Sequence, residues 1–266
     1  MKLMIALTGI LFTVCPIAIA QESGGARVVV PSRNSTRPRK VDVSTLRGNV
    51  TVKAYNGKDV IVETAGERRR ERAEEQSGGM RRIDLPSRGL TVEEQDNVIT
   101  VRPGPMSDGN LVISVPADTS LKARTHNGSL EADGLHGEFD VEALNGSISL
   151  LNVSGTVVAH SLNGAIKVTM DQVDPNKPIS FSTLNGPIDV AFPADFKANV
   201  KLNTHRGEIW SDFDVKLGGG TATQQNNTSD GKFRVTMDRS IAGTINGGGV
   251  EASFYTLNGK ITIHKK

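Results

Sequence analysis

Apolar residues recur in a fixed relation to glycine through the middle of the chain. Gly128, Gly137, Gly146, Gly155 and Gly164 follow one another at intervals of nine residues. Two positions after each glycine stand Leu130, Phe139, Ile148, Val157 and Ile166, and four positions after stand Ala132, Val141, Leu150, Ala159 and Val168. Between them lie Glu131, Asp140, Ser149, Val158 and Lys167, which are mostly polar. Apolar, polar, apolar at period two predicts short strands with one face buried. Seven positions after the glycine the chain carries Leu135, Leu144, Val153 and Leu162, a break in the alternation that predicts a bend.

A second period lies inside the first. Asn127, Asn145 and Asn163 precede every other glycine, whereas His136 and Ser154 precede the two between them. The unit is therefore eighteen residues with two unlike turns. Asn-Gly is a strong two-residue hairpin signal, but an antiparallel meander gives its turns no reason to alternate in kind. A coil with two strands per rung does. Every second turn then falls on the same edge, and the asparagines stack about 4.8 Å apart, close enough for their amides to bond in a ladder. The expected fold is all-β, a repetitive β-solenoid or roll-like stack of short strands with Asn-Gly turns. The expected turn residues are Asn127, Gly128, Asn145, Gly146, Asn163, Gly164, Asn185, Gly186, Asn258 and Gly259, the last four from the less regular units at 183–190 and 256–263. Thr204-His205-Arg206-Gly207 is a further variant of the unit.

The rest of the chain divides around this pattern. Val41, Val43, Leu46, Val50, Val52, Val60 and Val62 surround Gly48 and Gly57 and begin the β region, which runs from 41 to 266. Residues 67–77 interrupt it with a charged insertion centred on Glu67 to Gln76, read as solvated. Residues 218–230 read as a polar loop. Residues 1–20 have the parts of a signal peptide: Lys2, an apolar run, and Ala18-Ile19-Ala20 as a cleavage site. Residues 21–40, with Pro31, Pro38, Arg39 and Lys40, have no apolar period and read as a basic flexible linker.

Charge and cysteine content narrow the function classes. The formal net charge is +2, and removal of residues 1–20 would take away only Lys2, leaving +1. A nucleic-acid binder normally carries a strong basic excess, so nucleic acid is not expected as a partner. Cys15 is the one cysteine and lies in the leader, which leaves the exported part without a disulfide. No apolar run of membrane-spanning length follows the leader.

Candidate chemistry was sought column by column. Calcium rolls with a nine-residue repeat place Asp two residues after glycine; here that position is apolar in every repeat, so no repeat metal is expected. Glu131, Asp133, Glu138, Asp140 and Glu142 could supply the paired carboxylates of a sugar-cutting enzyme. One rung later the same positions hold Ser149, Leu151, Thr156, Val158 and His160, and no recurring Lys or Arg set is apparent beside the acids. Glu142 above His160 is the one pair with acid–base potential, and counting eighteen further reaches Pro178. His126 and His205 occupy matching turns without zinc-ligand spacing. Neither a Gly-x-Ser-x-Gly elbow nor a phosphate loop is present. Neither catalytic nor cofactor nor metal residues are therefore assigned. Trp210 stands in a column that is elsewhere mostly polar and outward, which makes it the candidate binding residue.

The Leu-Asn-Gly-x-Ile-x-apolar units at 144–150, 162–168, 184–190 and 257–263 resemble those of the toast-rack family of bacterial candidate adhesins, a domain family of unknown function. Val115-Pro116-Ala117-Asp118 and the terminal Gly247-Gly248-Gly249 before Tyr255-Thr256-Leu257-Asn258-Gly259 are also similar to it. The resemblance covers about 41–266 and implies a stacked β architecture in an envelope or surface protein, with no catalytic residues to carry over. The expectation is an exported, non-catalytic, adhesin-like or envelope-associated binding or structural protein. It would act in the periplasm, on the cell surface or outside the cell, with a protein or glycan as partner. The alternative is a polysaccharide-cleaving enzyme on a parallel β-coil.

Overall fold

The computed structural model describes residues 27–32, 38–65, 89–104, 110–218, 225–229, 232–236 and 240–266. The expected leader and the charged insertion at 67–77 lie outside the described residues. All regular elements among the described residues are strands. The first are β1 (Arg27–Val30), β2 (Arg39–Arg47), β3 (Val50–Tyr55), β4 (Val60–Ala65), β5 (Leu90–Gln95), β6 (Val98–Pro103) and β7 (Asn110–Pro116). The regular repeats form β8 (Thr119–Asn127), β9 (Leu130–Asp133), β10 (His136–Asn145), β11 (Ile148–Asn163), β12 (Ile166–Val173), β13 (Ile179–Asn185) and β14 (Ile188–Phe192). The remainder are β15 (Ala198–Arg206), β16 (Ile209–Ser211), β17 (Val215–Leu217), β18 (Gln225–Ser229), β19 (Lys232–Thr236), β20 (Ile241–Ile245), β21 (Val250–Asn258) and β22 (Ile261–Lys265).

The repeats build a two-faced parallel roll. One face runs β2, β8, β10, the second half of β11, β13, β21 and β15 in parallel register. The other runs β7, β3, β9, the first half of β11, β12, β14, β22 and β16. An Asn-Gly turn carries the chain from the first face to the second. His136 pairs with Ser154 and Gly137 with Gly155 inside parallel strands, so the intervening glycines do not make hairpins. Between the faces lies one core of alternate side chains, among them Phe139, Ile148, Ile166, Phe181, Ile188 and Phe254. Phe181 stacks on Phe254 at 5.2 Å, and Phe192 on Phe196 at 4.0 Å.

The column seven residues after glycine splits into two fates. Leu135 and Val153 are fully buried at the edge opposite the Asn-Gly turns, where they fill the corner. Leu144 and Leu162 are exposed beside those turns. The single bend expected from the nine-residue count is thus two different corners of an eighteen-residue rung. Leu46, counted among the apolar positions at the start of the β region, is likewise exposed.

Spatial order departs from chain order at both ends. The β2–β3 rung lies between the β6–β7 and β8–β9 rungs. The C-terminal β21–β22 rung lies between the β13–β14 and β15–β16 rungs. Antiparallel strands close the ends: β5 on β6, β4 on β7 with β1 beyond it, and β20 on β15 with β17 beyond it. Such pairings cover sheet edges that would otherwise template association.

Residues 27–30, assigned from sequence to a flexible linker, form β1, and β2 already begins at Arg39. The four-residue Arg-Val-Val-Val segment is too short to show a period but pairs in full with Val60–Glu63. Arg39 is buried and donates to the Lys58 carbonyl and the Ser32 hydroxyl, which ties this segment to the connection between β3 and β4.

Candidate binding surface

The turn edge carries the most regular side-chain array. Asn145 Nδ2 donates to Asn127 Oδ1 at 3.1 Å, Asn163 to Asn145 at 2.9 Å, Asn185 to Asn163 at 2.9 Å, and Asn258 to Asn185 at 2.8 Å. Arg47 occupies the equivalent position next to Asn127, and Arg206 that next to Asn258. Behind the asparagines, inside the turn, the hydroxyls of Ser161, Thr183, Thr256 and Thr204 donate to the carbonyls of Gly146, Gly164, Gly186 and Gly259. The turn glycines stack without room for a side chain. A Cβ on Gly164 would lie 2.1 Å from the Gly146 carbonyl oxygen, and one on Gly186 2.2 Å from that of Gly164. Asn-Gly is therefore selected here by close stacking and amide pairing. The left-handed hairpin geometry that usually favours it is absent, since no ladder asparagine is among the residues with positive φ.

Trp210 sits on β16, three residues past the turn at Gly207, facing outward and 56% exposed. Its register partner is Thr262 on β22. The indole Nε1 donates to Glu208 Oε2 at 3.0 Å, and Lys260 Nζ lies 5.3 Å from the ring centroid, a cation–π distance. The ring is thus oriented by its neighbours yet open to solvent, and the described part of the 213–230 segment does not cover it.

Next to it His264 lies between two carboxylates, with Nδ1 3.1 Å from Asp212 Oδ2 and Nε2 3.5 Å from Asp189 Oδ1. The His264 hydrogen bond, with a further one from the Lys265 amide, holds the Asp212 carboxyl below the usual range. This grouping spans β14, β22 and the residue after β16, and sequence spacing gave no sign of it.

Three of the five clustered acids stand in ion pairs. Asp140 meets Lys122 at 3.3 Å, Glu142 meets Arg124 at 3.3 Å, and Glu138 meets Lys177 at 2.5 Å. The Glu138 hydrogen bond and charge raise the Lys177 amine above its ordinary value. Cations therefore do stand beside these acids, contrary to the sequence reading. Lys122 and Arg124 come from the preceding rung, and Lys177 from the loop after β12. Glu142 and His160 are register partners as counted, but the next residue in their column is Ser182, not Pro178. The loop at 174–178 lengthens that rung from eighteen residues to twenty-two, as the Asn163–Asn185 pairing shows. No hydrogen bond reaches the His160 side chain among the described residues, and the Glu142 carboxylate is turned to Arg124. Asp133 accepts from Asn152 at 3.0 Å, beside a bulge that shifts the β11–β12 register between Leu150 and Val153.

The profile of the Toastrack DUF4097 family matches residues 17–263, nearly the whole chain. The chain belongs to the Toastrack DUF4097 family. Its β-solenoid architecture is that of a Toastrack domain. A candidate cell-adhesion protein of Clostridium sporogenes ATCC 15579 is similar at 10% identity and a TM-score of 0.43, covering 91% of this chain and 100% of that one. A candidate adhesin of Bacteroides fragilis NCTC 9343 is similar at 10% identity and a TM-score of 0.41, covering 92% and 98%. No curated protein matches the chain.

Proposed function

We propose that this Toastrack protein is exported and acts without catalysis, as a binding or structural component of the cell envelope or surface. The observation that carries the reading is Trp210: a large aromatic side chain, more than half exposed, held in place at the end of a regular sheet face. Ordered, solvent-open tryptophans are typical anchors for a sugar ring or a protein partner. The carboxylates that could have served acid–base chemistry support the same reading, because Glu138, Asp140 and Glu142 each neutralise a neighbouring cation. Half-exposed pairs of this kind hold a surface together only weakly.

A glycan array combined with a pull-down from envelope extract tests the proposal. Capture of a glycan or an envelope protein is expected, and Trp210→Ala should weaken it by ~tenfold or more without lowering the melting temperature. Turnover of pectin, alginate, peptidoglycan or ester substrates that disappears in Glu142→Gln or His160→Ala would instead establish the polysaccharide-cleaving reading.

A further inference from the structure

Beside the asparagine ladder runs a second array. One position before each turn asparagine, pointing outward, stand Leu144, Leu162, Leu184 and Leu257 on four successive rungs. Leu144 and Leu162 are 40% and 38% exposed, and the other two are half-buried. The other outward columns of this face change residue type from rung to rung, as in Arg124, Glu142, His160, Ser182 and Tyr255 or Lys122, Asp140, Val158 and Ser180; this column repeats one large apolar residue. His126 and His205 occupy the same column on the flanking rungs, beside Asn127 and Arg206. The edge thus offers a strip of leucine methyls over four rungs next to a row of amides over five, both repeating at the strand spacing of about 4.8 Å. Asn145, Asn163, Asn185 and Asn258 each use one N–H for the ladder, which leaves the other directed away from it.

The charge around the strip is basic in balance. The columns on either side, together with the ladder itself, hold Arg47, Arg124, Arg206 and Lys260 against Glu142 and Glu208, four basic residues to two acidic. Outward positions farther along the second face are acidic in balance, with Glu131, Asp133, Asp189 and Asp212 against Lys53 and Lys167.

Resting on the binding reading above, we infer that the turn edge binds a linear anionic polysaccharide lying along the stack, across the rungs. The C–H faces of successive sugar rings lie against Leu144, Leu162, Leu184 and Leu257. Their hydroxyls accept from the asparagine amides, and their carboxylates are drawn to the basic ends at Arg47 and Arg206. A ligand repeating in steps near the rung spacing makes the same contact at each rung, so affinity rises with chain length as contacts add.

Titration calorimetry of the purified protein with polygalacturonate oligomers, and with a neutral linear β-glucan of equal length, tests this. Polygalacturonate should bind, more tightly with length and less tightly with added salt, and the neutral glucan should bind ~tenfold or more weakly. Leu162→Glu with Leu184→Glu should abolish binding, whereas Leu162→Lys with Leu184→Lys should preserve or strengthen it. That opposition of sign cannot arise from a folding defect. Equal binding of the neutral chain, or loss of binding only in Trp210→Ala, would overturn the inference and leave the binding reading standing. So would capture of an envelope protein with no glycan bound. Failure to retain any glycan or envelope partner would overturn the binding reading itself.

Discussion

Gly164 shows how one residue sets the terms of the stack. A methyl group there would lie 2.1 Å from the Gly146 carbonyl oxygen, which is backbone and cannot swing aside. Gly164→Ala should therefore destabilise the protein by about 1–3 kcal/mol through overpacking, read as a lower midpoint in urea unfolding. Ile148 is fully buried and pairs with Leu130 on one side and Ile166 on the other. Ile148→Asp puts a carboxylate among apolar side chains with no partner, and circular dichroism should show loss of the folded state. Asp212 acts through charge. Its carboxyl is held below the ordinary value of 3.8 by His264. A depressed carboxyl contributes stability that is present above the unfolded-state value and lost as pH falls through the folded-state value. Thermal melts below pH 4 should accordingly fall less steeply in Asp212→Asn than in the native protein, with the two curves parallel near neutrality.

At the scale of elements, the ladder is a device for keeping rungs in register. In a strand pair a slip of one residue turns every side chain to the opposite face. The amide chain from Asn127 to Asn258 and the hydroxyls inside the turns bond only in the native register. Asn163 both donates to Asn145 and accepts from Asn185, so Asn163→Ala removes two hydrogen bonds. A net cost of about 1–2 kcal/mol is expected, with the loss in a double-mutant cycle with Asn145→Ala smaller than the sum of the single losses. The ladder was legible in the sequence because asparagine recurs at eighteen residues. The ion pairs across β8 and β10 were not, since they require knowing which rung lies beside which. The loop at 174–178 shows the same limit: the count of eighteen fails there, and Ser182 takes the place expected of Pro178.

The whole molecule is held by rungs taken out of chain order. In a coil wound strictly in sequence, the last rung could fray without disturbing the others. Here β21 pairs with both β13 and β15, and β22 with both β14 and β16. Truncation after Gly249 would take away an internal layer and expose the Phe181 and Phe192 region of the core. Such a variant should lose the cooperative transition and become sensitive to limited proteolysis through residues 179–211. Retention of a single sharp melt near the native temperature would mean that the terminal rung adds little to the stack.

The period of eighteen, the parallel roll and the choice of asparagine and glycine at its turns were determined by the sequence alone. Each follows from local rules: alternation decides which side chains are buried, and recurrence at equal spacing puts like residues one above another. Tertiary structure decided what local rules cannot reach. Leu135 and Leu144 occupy the same place in the nine-residue count, yet one is fully buried and the other exposed, because only closure of the rung tells one corner from the other. The same holds for the placing of the terminal rungs inside the stack and for Asp189, His264 and Asp212 meeting at one corner. Those contacts join strands distant in the chain, and their partners are fixed by which sheet edges remain to be covered once the regular repeats have stacked.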